Sequence, residues 1–379
     1  MKLNCHRVLS LVIFILYILL LPVSAVAQPR INGQAAVLMD LDSGRVLYAM
    51  NVHQRLPQAS TTKITTAILA IKGGDLDRKV HISVGAAATG ESSMGLRNGE
   101  VLRLRDLLYG MLLLSGNDAA VATAEAVAGS EKEFVKMMND YAAEVGAEDT
   151  HYTNPHGLHS PDHYSSAYDL ALLAREGFKL PEFRRIIALP EAEVKRQSRT
   201  QLMKNINRLL TGDEEYYSFA NGVKSGYTTP AGNCLVSSAA KNGWTLVAVV
   251  LNARDVYGES KKLLEWGFNT FNRTPVLQPG KFIRDIKVEG GRKDLVAVVT
   301  GGTLSVPLLD GEKKELEQRV VLPDTVTAPV EEGEWLGEIR LFMDDTRVAT
   351  VDLVAGSTVK RRSLLTSIWQ SLIAILTFH

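Results

Sequence analysis

The sequence predicts a mixed α/β (α+β) chain of two domains, the second all-β, ending in a short amphipathic helix. Three observations carry this expectation. From about 30 to 270, apolar strand-like runs alternate with segments of helical periodicity. Beyond Pro275 the helical period vanishes, and LVAVV, RVVL, EIRLFM and VATVDLV alternate with Gly, Pro and Asp turns. From Leu364 onward the apolar residues form one helical stripe. At 379 residues the chain also exceeds most single cores.

The first 27 residues form the earliest element. Lys2 and Arg7 precede an apolar run from Val8 to Leu21, and Ala25-Val26-Ala27 supplies the small residues of a cleavage site. An export signal over 1–27 follows, leaving Gln28 first. An uncleaved anchor is the alternative, and the run is short for a membrane span. With Cys5 inside that signal, Cys234 is the mature chain's single thiol, so no internal disulfide is possible. Its apolar surroundings, CLVSSAA, predict a buried small side chain.

The main domain is expected over 28–272. AAVLMDLDSGRVLYAM, from Ala35, reads as a hairpin turning at Asp42-Ser43-Gly44. Ile64, Ala67, Ile68 and Ile71 then recur at helical spacing until Gly73-Gly74, which places Ser60 at a helix start. Residues 103–128 carry two apolar helices broken at Ser115-Gly116-Asn117, with Asp118 expected to cap the second. The stretch 179–210 is polar and weakly periodic, and order returns at Val223. From there KSGYTTPAGNCLVSSAAKNGWTLVAVVL reads as three strands, the last two joined at Lys241-Asn242-Gly243.

The all-β domain is expected over 273–358 and the amphipathic helix over 360–379. In that helix Leu365, Ile368, Trp369, Leu372, Ile373 and Leu376 share a face, and Lys360-Arg361-Arg362 precedes it. Seventeen residues from Ser363 reach only about 25 Å as a helix, short of a ~30 Å hydrocarbon core. That length favours a helix lying in the membrane surface over one that spans it; docking on the protein's own core is the alternative.

Charge is balanced, 42 basic against 42 acidic residues. The basic field that nucleic-acid binding needs is therefore missing. Ser60 stands three positions before Lys63, an offset that on a helix puts both side chains on one face. An uncharged lysine there can take the serine proton, provided burial or a neighbouring cation lowers its pKa. Two other Ser-x-x-Lys pairs, Ser238 with Lys241 and Ser357 with Lys360, lack helical context. Ser115-Gly116-Asn117 offers a hydroxyl for proton relay and an amide for a carbonyl, although a plain helix cap explains it equally well. Lys224-Ser225-Gly226 supplies fixed positive charge, a hydroxyl for a carboxylate, and a glycine that permits close approach to the backbone. An ordinary turn is the competing account of that tripeptide.

Taken in order, Ser60-Thr61-Thr62-Lys63, Ser115-Gly116-Asn117 and Lys224-Ser225-Gly226 resemble the active-site signature of penicillin-recognising serine enzymes. ASTTK, GESSMGL (90–96), LLLSGNDAA, TNPHGLH (153–159) and GVKSGYT more narrowly resemble the low-molecular-mass D-alanyl-D-alanine carboxypeptidases of serine peptidase family S11. The resemblance is close over roughly 30–270; further on, the chain matches the family's layout rather than any motif. It implies an antiparallel sheet flanked by helices and no cofactor or metal. It also implies action on peptidoglycan stem peptides ending in D-Ala-D-Ala, covalent inhibition by β-lactam antibiotics, and a place at the outer face of the cytoplasmic membrane or in the cell wall.

By the same resemblance Ser60 is the nucleophile, Lys63 its base and Ser115 a proton relay. Asn117 holds the substrate amide. Lys224, Ser225 and Thr228 receive the free carboxylate, Gly226 is a further substrate-binding position that lets substrate approach the backbone, and the N–H groups of Ser60 and Tyr227 form the oxyanion hole. One departure is Ser225, where the family usually has threonine.

Three rival readings stay open at this stage. A class A β-lactamase has its motifs in the same order but needs Glu-x-x-Leu-Asn between the second and third motifs; here only Glu265-Trp266-Gly267-Phe268-Asn269 is similar, and it comes too late. His151, His156, His159 and His163, with Asp162, have spacings that could bind zinc, although Gly157 and Pro161 break the helix that would align them. A catalytically inactive wall-binding or scaffold protein would keep the fold but has no need of Lys63.

Overall fold

The structure, a computed structural model, describes residues 27–362 apart from Ser198, Asp213 and Asp344. The export signal before Ala27 and the amphipathic helix from Ser363 lie outside the described residues. Among the described residues, 31–362 form one compact unit.

The hairpin at Asp42-Ser43-Gly44 is present, with β1 (Ala35–Asp40) and β2 (Val46–Met50) paired antiparallel. Two small hairpins follow, β3 (Lys79–His81) with β4 (Val101–Arg103), and β5 (Glu191–Lys195) with β6 (Thr200–Lys204). β7 (Ala220–Thr228), β8 (Gly232–Lys241) and β9 (Trp244–Leu251) then join the first hairpin in a five-stranded antiparallel sheet, ordered β2-β1-β9-β8-β7. Lys241 pairs with Trp244 across the Asn242-Gly243 turn.

Both faces of this sheet are covered. Val37 and Met39 of β1 and Val247 and Val249 of β9 pack with the helices Lys63–Lys72, Leu104–Leu113, Asn117–Ala128 and Ala167–Phe178. Leu38, Leu246, Ala248 and Val250 face the opposite way, against Leu263 and Leu264 of the Val256–Thr270 helix. A strand buried on both sides reads as a continuous apolar run, which is why all six residues of β1 are buried.

The polar stretch 179–210 is more ordered than its composition suggests. It holds the helix Pro181–Ile187 and the β5–β6 hairpin. Each strand of that hairpin buries one residue, Val194 and Met203. One buried residue per five, among charged and polar neighbours, is too sparse a pattern to announce a strand.

From Asn272 to Arg362 the regular elements are strands apart from one 3-10 turn, Glu312–Glu315. β10 (Asn272–Leu277) pairs with β13 (Leu304–Leu308). A six-stranded sheet contains β11 (Phe282–Glu289), β12 (Leu295–Thr300), β14 (Glu317–Val321), β15 (Thr325–Thr327), β16 (Trp335–Met343) and β17 (Thr346–Ala355). Its own core includes Ile286, Val298, Ile339, Leu341 and Leu353. Arg45, just past the first turn, grips this region by donating to both carboxylate oxygens of Glu312 at 2.9 Å, and Arg273 reaches Asp42 at 2.7 Å.

Candidate active site

A 3-10 turn, Ala59–Thr62, leads directly into the Lys63–Lys72 helix. This junction places Lys63 Nζ 2.9 Å from Ser60 Oγ. Two acceptors take the N–H groups of the amine, Asn117 Oδ1 at 2.8 Å and the His156 carbonyl at 2.6 Å, which leaves the nitrogen lone pair for the Ser60 hydroxyl. Lys63 is fully buried and faces no carboxylate within ion-pairing distance among the described residues. Burial, reinforced by the positive charge of Lys224, pushes its pKa far below 10.5 against weaker opposing effects of Asp118 and Glu91. That shift is toward the neutral amine a general base requires.

Lys224 lies on β7, the edge of the sheet, and is also buried, donating to the Ser225 carbonyl at 2.7 Å. Burial alone brings its pKa down to about 7. Ser60, Ser115, Ser225, Gly226 and Tyr227 line one cleft of about 320 Å³. Gly226 backs onto the Ser60 turn: a Cβ there would stand 2.8 Å from Ser60 N and 3.1 Å from Ala59 Cβ. Thr228 ends β7 and accepts from the Ala231 N–H at 3.3 Å.

Ser115-Gly116-Asn117 lies between the two apolar helices, with Ser115 at φ +63°, a conformation costly for a residue with a Cβ. The structure corrects one expectation here. Gly116, not Asp118, occupies the cap position of the Asn117–Ala128 helix, and no side chain caps it. Asp118 instead reaches across to the 93–96 loop, accepting from Met94 N and Leu96 N at 2.9 Å each and from Ser93 Oγ at 2.6 Å.

The four histidines separate. His151 and His159 are exposed while His156 and His163 are buried. His163 Nδ1 accepts from Thr153 N at 3.0 Å, so its Nε2 carries the proton and donates to Thr62 Oγ1 at 2.8 Å. Burial pushes the His156 pKa to about 3 and that of His163 to about 4, with Lys63 adding to both. Both rings are neutral near pH 7; that of His163 supports the Ser60 turn through Thr62, whereas that of His156 accepts from Leu158 N at 3.1 Å. Among the described residues no group of three or more His, Cys, Asp or Glu side chains is arranged to hold a metal. Cys234 is buried beneath the cleft, opposite Gly226 in the β7–β8 register.

Two supports carried no side-chain signal in the sequence. The His156 carbonyl is a backbone group, which any residue could supply. Gly157, at φ +95°, lies so close that a Cβ would meet Ala59 O at 1.9 Å. Its two demands, a left-handed backbone and direct contact, explain the glycine in TNPHGLH.

A D-alanyl-D-alanine carboxypeptidase (peptidase S11) profile matches residues 23–255, and a profile for the C-terminal domain of penicillin-binding protein 5 matches 271–361. The chain belongs to the peptidase S11 family of D-alanyl-D-alanine carboxypeptidases. It is 33% identical over 345 residues to D-alanyl-D-alanine carboxypeptidase DacF of Bacillus subtilis, covering 88% of each chain. With DacD of Escherichia coli the identity is 34% over 352 residues and 89% of each chain. Among solved structures, penicillin binding protein 5 from Haemophilus influenzae superposes with a TM-score of 0.70 at 32% identity, over 89% of this chain and all of that one. The peptidoglycan synthesis regulatory factor PBP3 from Streptococcus pneumoniae gives 0.72 at 26%, over 88% of this chain and all of that one.

Proposed function

We propose that this chain is a serine D-alanyl-D-alanine carboxypeptidase that removes the terminal D-alanine from peptidoglycan stem peptides. The observation that carries the reading is the buried Lys63 amine 2.9 Å from Ser60 Oγ, in a setting that pushes it toward the neutral form. In the reaction Lys63 takes the Ser60 proton and Ser60 Oγ attacks the carbonyl between the two D-alanines. The Ser60 and Tyr227 N–H groups receive the oxyanion, where a single donor is commonly worth about 3 kcal/mol. Ser115 passes the proton to the departing D-alanine amine as the carbon–nitrogen bond breaks. Water, deprotonated by Lys63, then hydrolyses the acyl ester and restores Ser60.

Binding precedes these steps. Protonated Lys224, with the hydroxyls of Ser225 and Thr228, holds the terminal carboxylate, and Gly226 lets the substrate lie against β7. Asn117 orients the substrate amide with the N–H of its side chain that the protein leaves over: Nδ2 donates to Gly90 O at 2.9 Å while Oδ1 holds Lys63. A β-lactam enters by the same attack and stays. The Glu265–Asn269 segment lies within the Val256–Thr270 helix, and the glutamate that lines the cleft, Glu91, precedes Ser115-Gly116-Asn117 instead of lying between the second and third motifs as the deacylating glutamate of a class A β-lactamase does.

The finer placement belongs to the same proposal: export through residues 1–27, a catalytic domain over 28–272, an all-β domain over 273–358, and attachment to the outer membrane face through 360–379. Among the described residues no helix is long and apolar enough to cross a membrane. The test is release of free D-alanine from diacetyl-L-Lys-D-Ala-D-Ala. Wild-type protein should release it and Ser60→Ala should not. No release, with rapid penicillin hydrolysis instead, would make the chain a β-lactamase. Inactivity in both assays would make it a wall-binding protein.

A further inference from the structure

Glu91 has no place in the chemistry above, yet its carboxylate lines the same cleft as Ser60 and Ser115. Its position is built. The carbonyls on either side of it are both held by Asn117, whose Nδ2 donates to Gly90 O at 2.9 Å and whose backbone N–H donates to Ser92 O at 2.7 Å. The chain just beyond is fixed from two directions. Asp118 accepts the Met94 and Leu96 N–H groups, and Arg196, on the β5–β6 hairpin, donates to Met94 O at 3.0 Å and Gly95 O at 2.6 Å. Arg196 is itself held by Glu100, with Nε 2.7 Å from Oε1. Glu91 has φ +63°, a left-handed backbone that a non-glycine residue keeps only where its surroundings impose it.

The side chain is exposed, and among the described residues its carboxylate has no hydrogen-bond or ion-pair partner. It is near enough to the reaction centre to raise the pKa of Lys63. A negative charge is therefore held without a counter-ion at the mouth of the cleft, beside the residue that orients the substrate amide. In the proposed mechanism the departing D-alanine lies on Lys224 and Ser225 of β7 and the substrate amide on Asn117, so the acyl part that stays on Ser60 is expected on the Asn117 side, where Glu91 stands.

We propose that Glu91 is a specificity-determining residue that pairs with the side-chain ammonium of a diamino acid preceding the D-Ala-D-Ala pair. The inference rests on the carboxypeptidase reading and names the stem peptides that reading serves: those whose third residue keeps a free side-chain amine. An amine acceptor for peptide transfer fits less well, because it would occupy the place vacated by D-alanine, on the β7 side.

The experiment compares two tripeptides, Nα-acetyl-L-Lys-D-Ala-D-Ala with a free ε-amine and the diacetylated form. D-Alanine release is measured with wild-type protein, Glu91→Gln and Glu91→Asp. The readout is the ratio of kcat/KM between the two substrates, so any effect of Glu91 on Lys63 basicity cancels. Wild-type protein should favour the free amine about fivefold, the ratio that ~1 kcal/mol for a solvent-exposed ion pair gives. The ratio should shrink toward one in 0.5 M salt. Glu91→Gln should abolish the preference and Glu91→Asp should keep part of it. A wild-type ratio of one, or a preference that survives in Glu91→Gln, overturns the proposal while leaving the carboxypeptidase reading intact. Failure of wild-type protein to release D-alanine from either tripeptide overturns both.

Discussion

Replacing Lys224 by methionine should make the protein more stable at neutral pH while impairing it as an enzyme. The folded state holds this lysine fully buried with a pKa of about 7, against 10.5 ordinarily. Because the folded value is the lower, the unfolded chain binds a proton that the folded chain lacks between about pH 7 and 10.5. Wild-type stability therefore rises with pH across that window. Integrating the two titrations gives a penalty of about 4 kcal/mol at pH 7 that shrinks to ~1 kcal/mol at pH 10. Methionine fills similar volume without that penalty but forfeits the hydrogen bond to Ser225 O, a loss of about 2 kcal/mol. The net expectation is a gain of about 2 kcal/mol at pH 7, or roughly 3 °C in Tm for a unit of this size, reversing to a small loss at pH 10. Thermal unfolding of both proteins at the two pH values measures it, alongside a fall in kcat/KM of ~10²-fold from loss of the carboxylate's counter-charge. A Lys224→Met protein less stable than wild type at pH 7, or a difference that ignores pH, would refute the argument.

Further expectations follow from the same residues. kcat/KM should rise with pH as Lys63 loses its proton, well below the usual lysine range, and fall as Lys224 discharges near pH 7. The kcat profile should keep its activity to higher pH, because a bound carboxylate holds the charge on Lys224. His156 and His163, at about 3 and 4, contribute no limb near neutrality. Arg196→Ala leaves the buried Glu100 carboxylate unpaired and should cost about 3–5 kcal/mol in urea unfolding, with part recovered by adding Glu100→Gln. Gly226→Ala places a Cβ 2.8 Å from Ser60 N and should slow acylation on the order of 10²-fold, since small displacements of reacting groups are that costly.

What could be read in advance follows from how far each signal acts along the chain. Ser60 and Lys63 were legible because a three-residue offset at a helix start suffices to bring them together. β7, β8 and β9 were legible from apolar runs and one Asn-Gly turn. Asp118 was misread because an acid just after Ser-Gly-Asn has the local look of a helix cap, while its carboxylate in fact serves a loop over twenty residues earlier in the chain. The β5–β6 hairpin escaped because it buries only Val194 and Met203, its place being set by Arg196 gripping Glu100 and the 94–95 carbonyls. The convergence of His156 O, Asn117 and Ser60 on one amine is a tertiary fact, and no spacing encodes it. Glu91 likewise became interesting only once both its neighbours proved to be held by Asn117.

The central claim, that Ser60 is a nucleophile activated by an uncharged Lys63, is tested most directly by mapping a penicillin adduct. The protein is incubated with benzylpenicillin at neutral pH, digested and examined by mass spectrometry, with Ser60→Ala and Lys63→Met alongside. The account predicts one penicilloyl group on the peptide containing Ser60, stable over minutes, absent from Ser60→Ala and formed far more slowly by Lys63→Met. An adduct on another residue, undiminished labelling of Ser60→Ala, or unchanged acylation in Lys63→Met would contradict it.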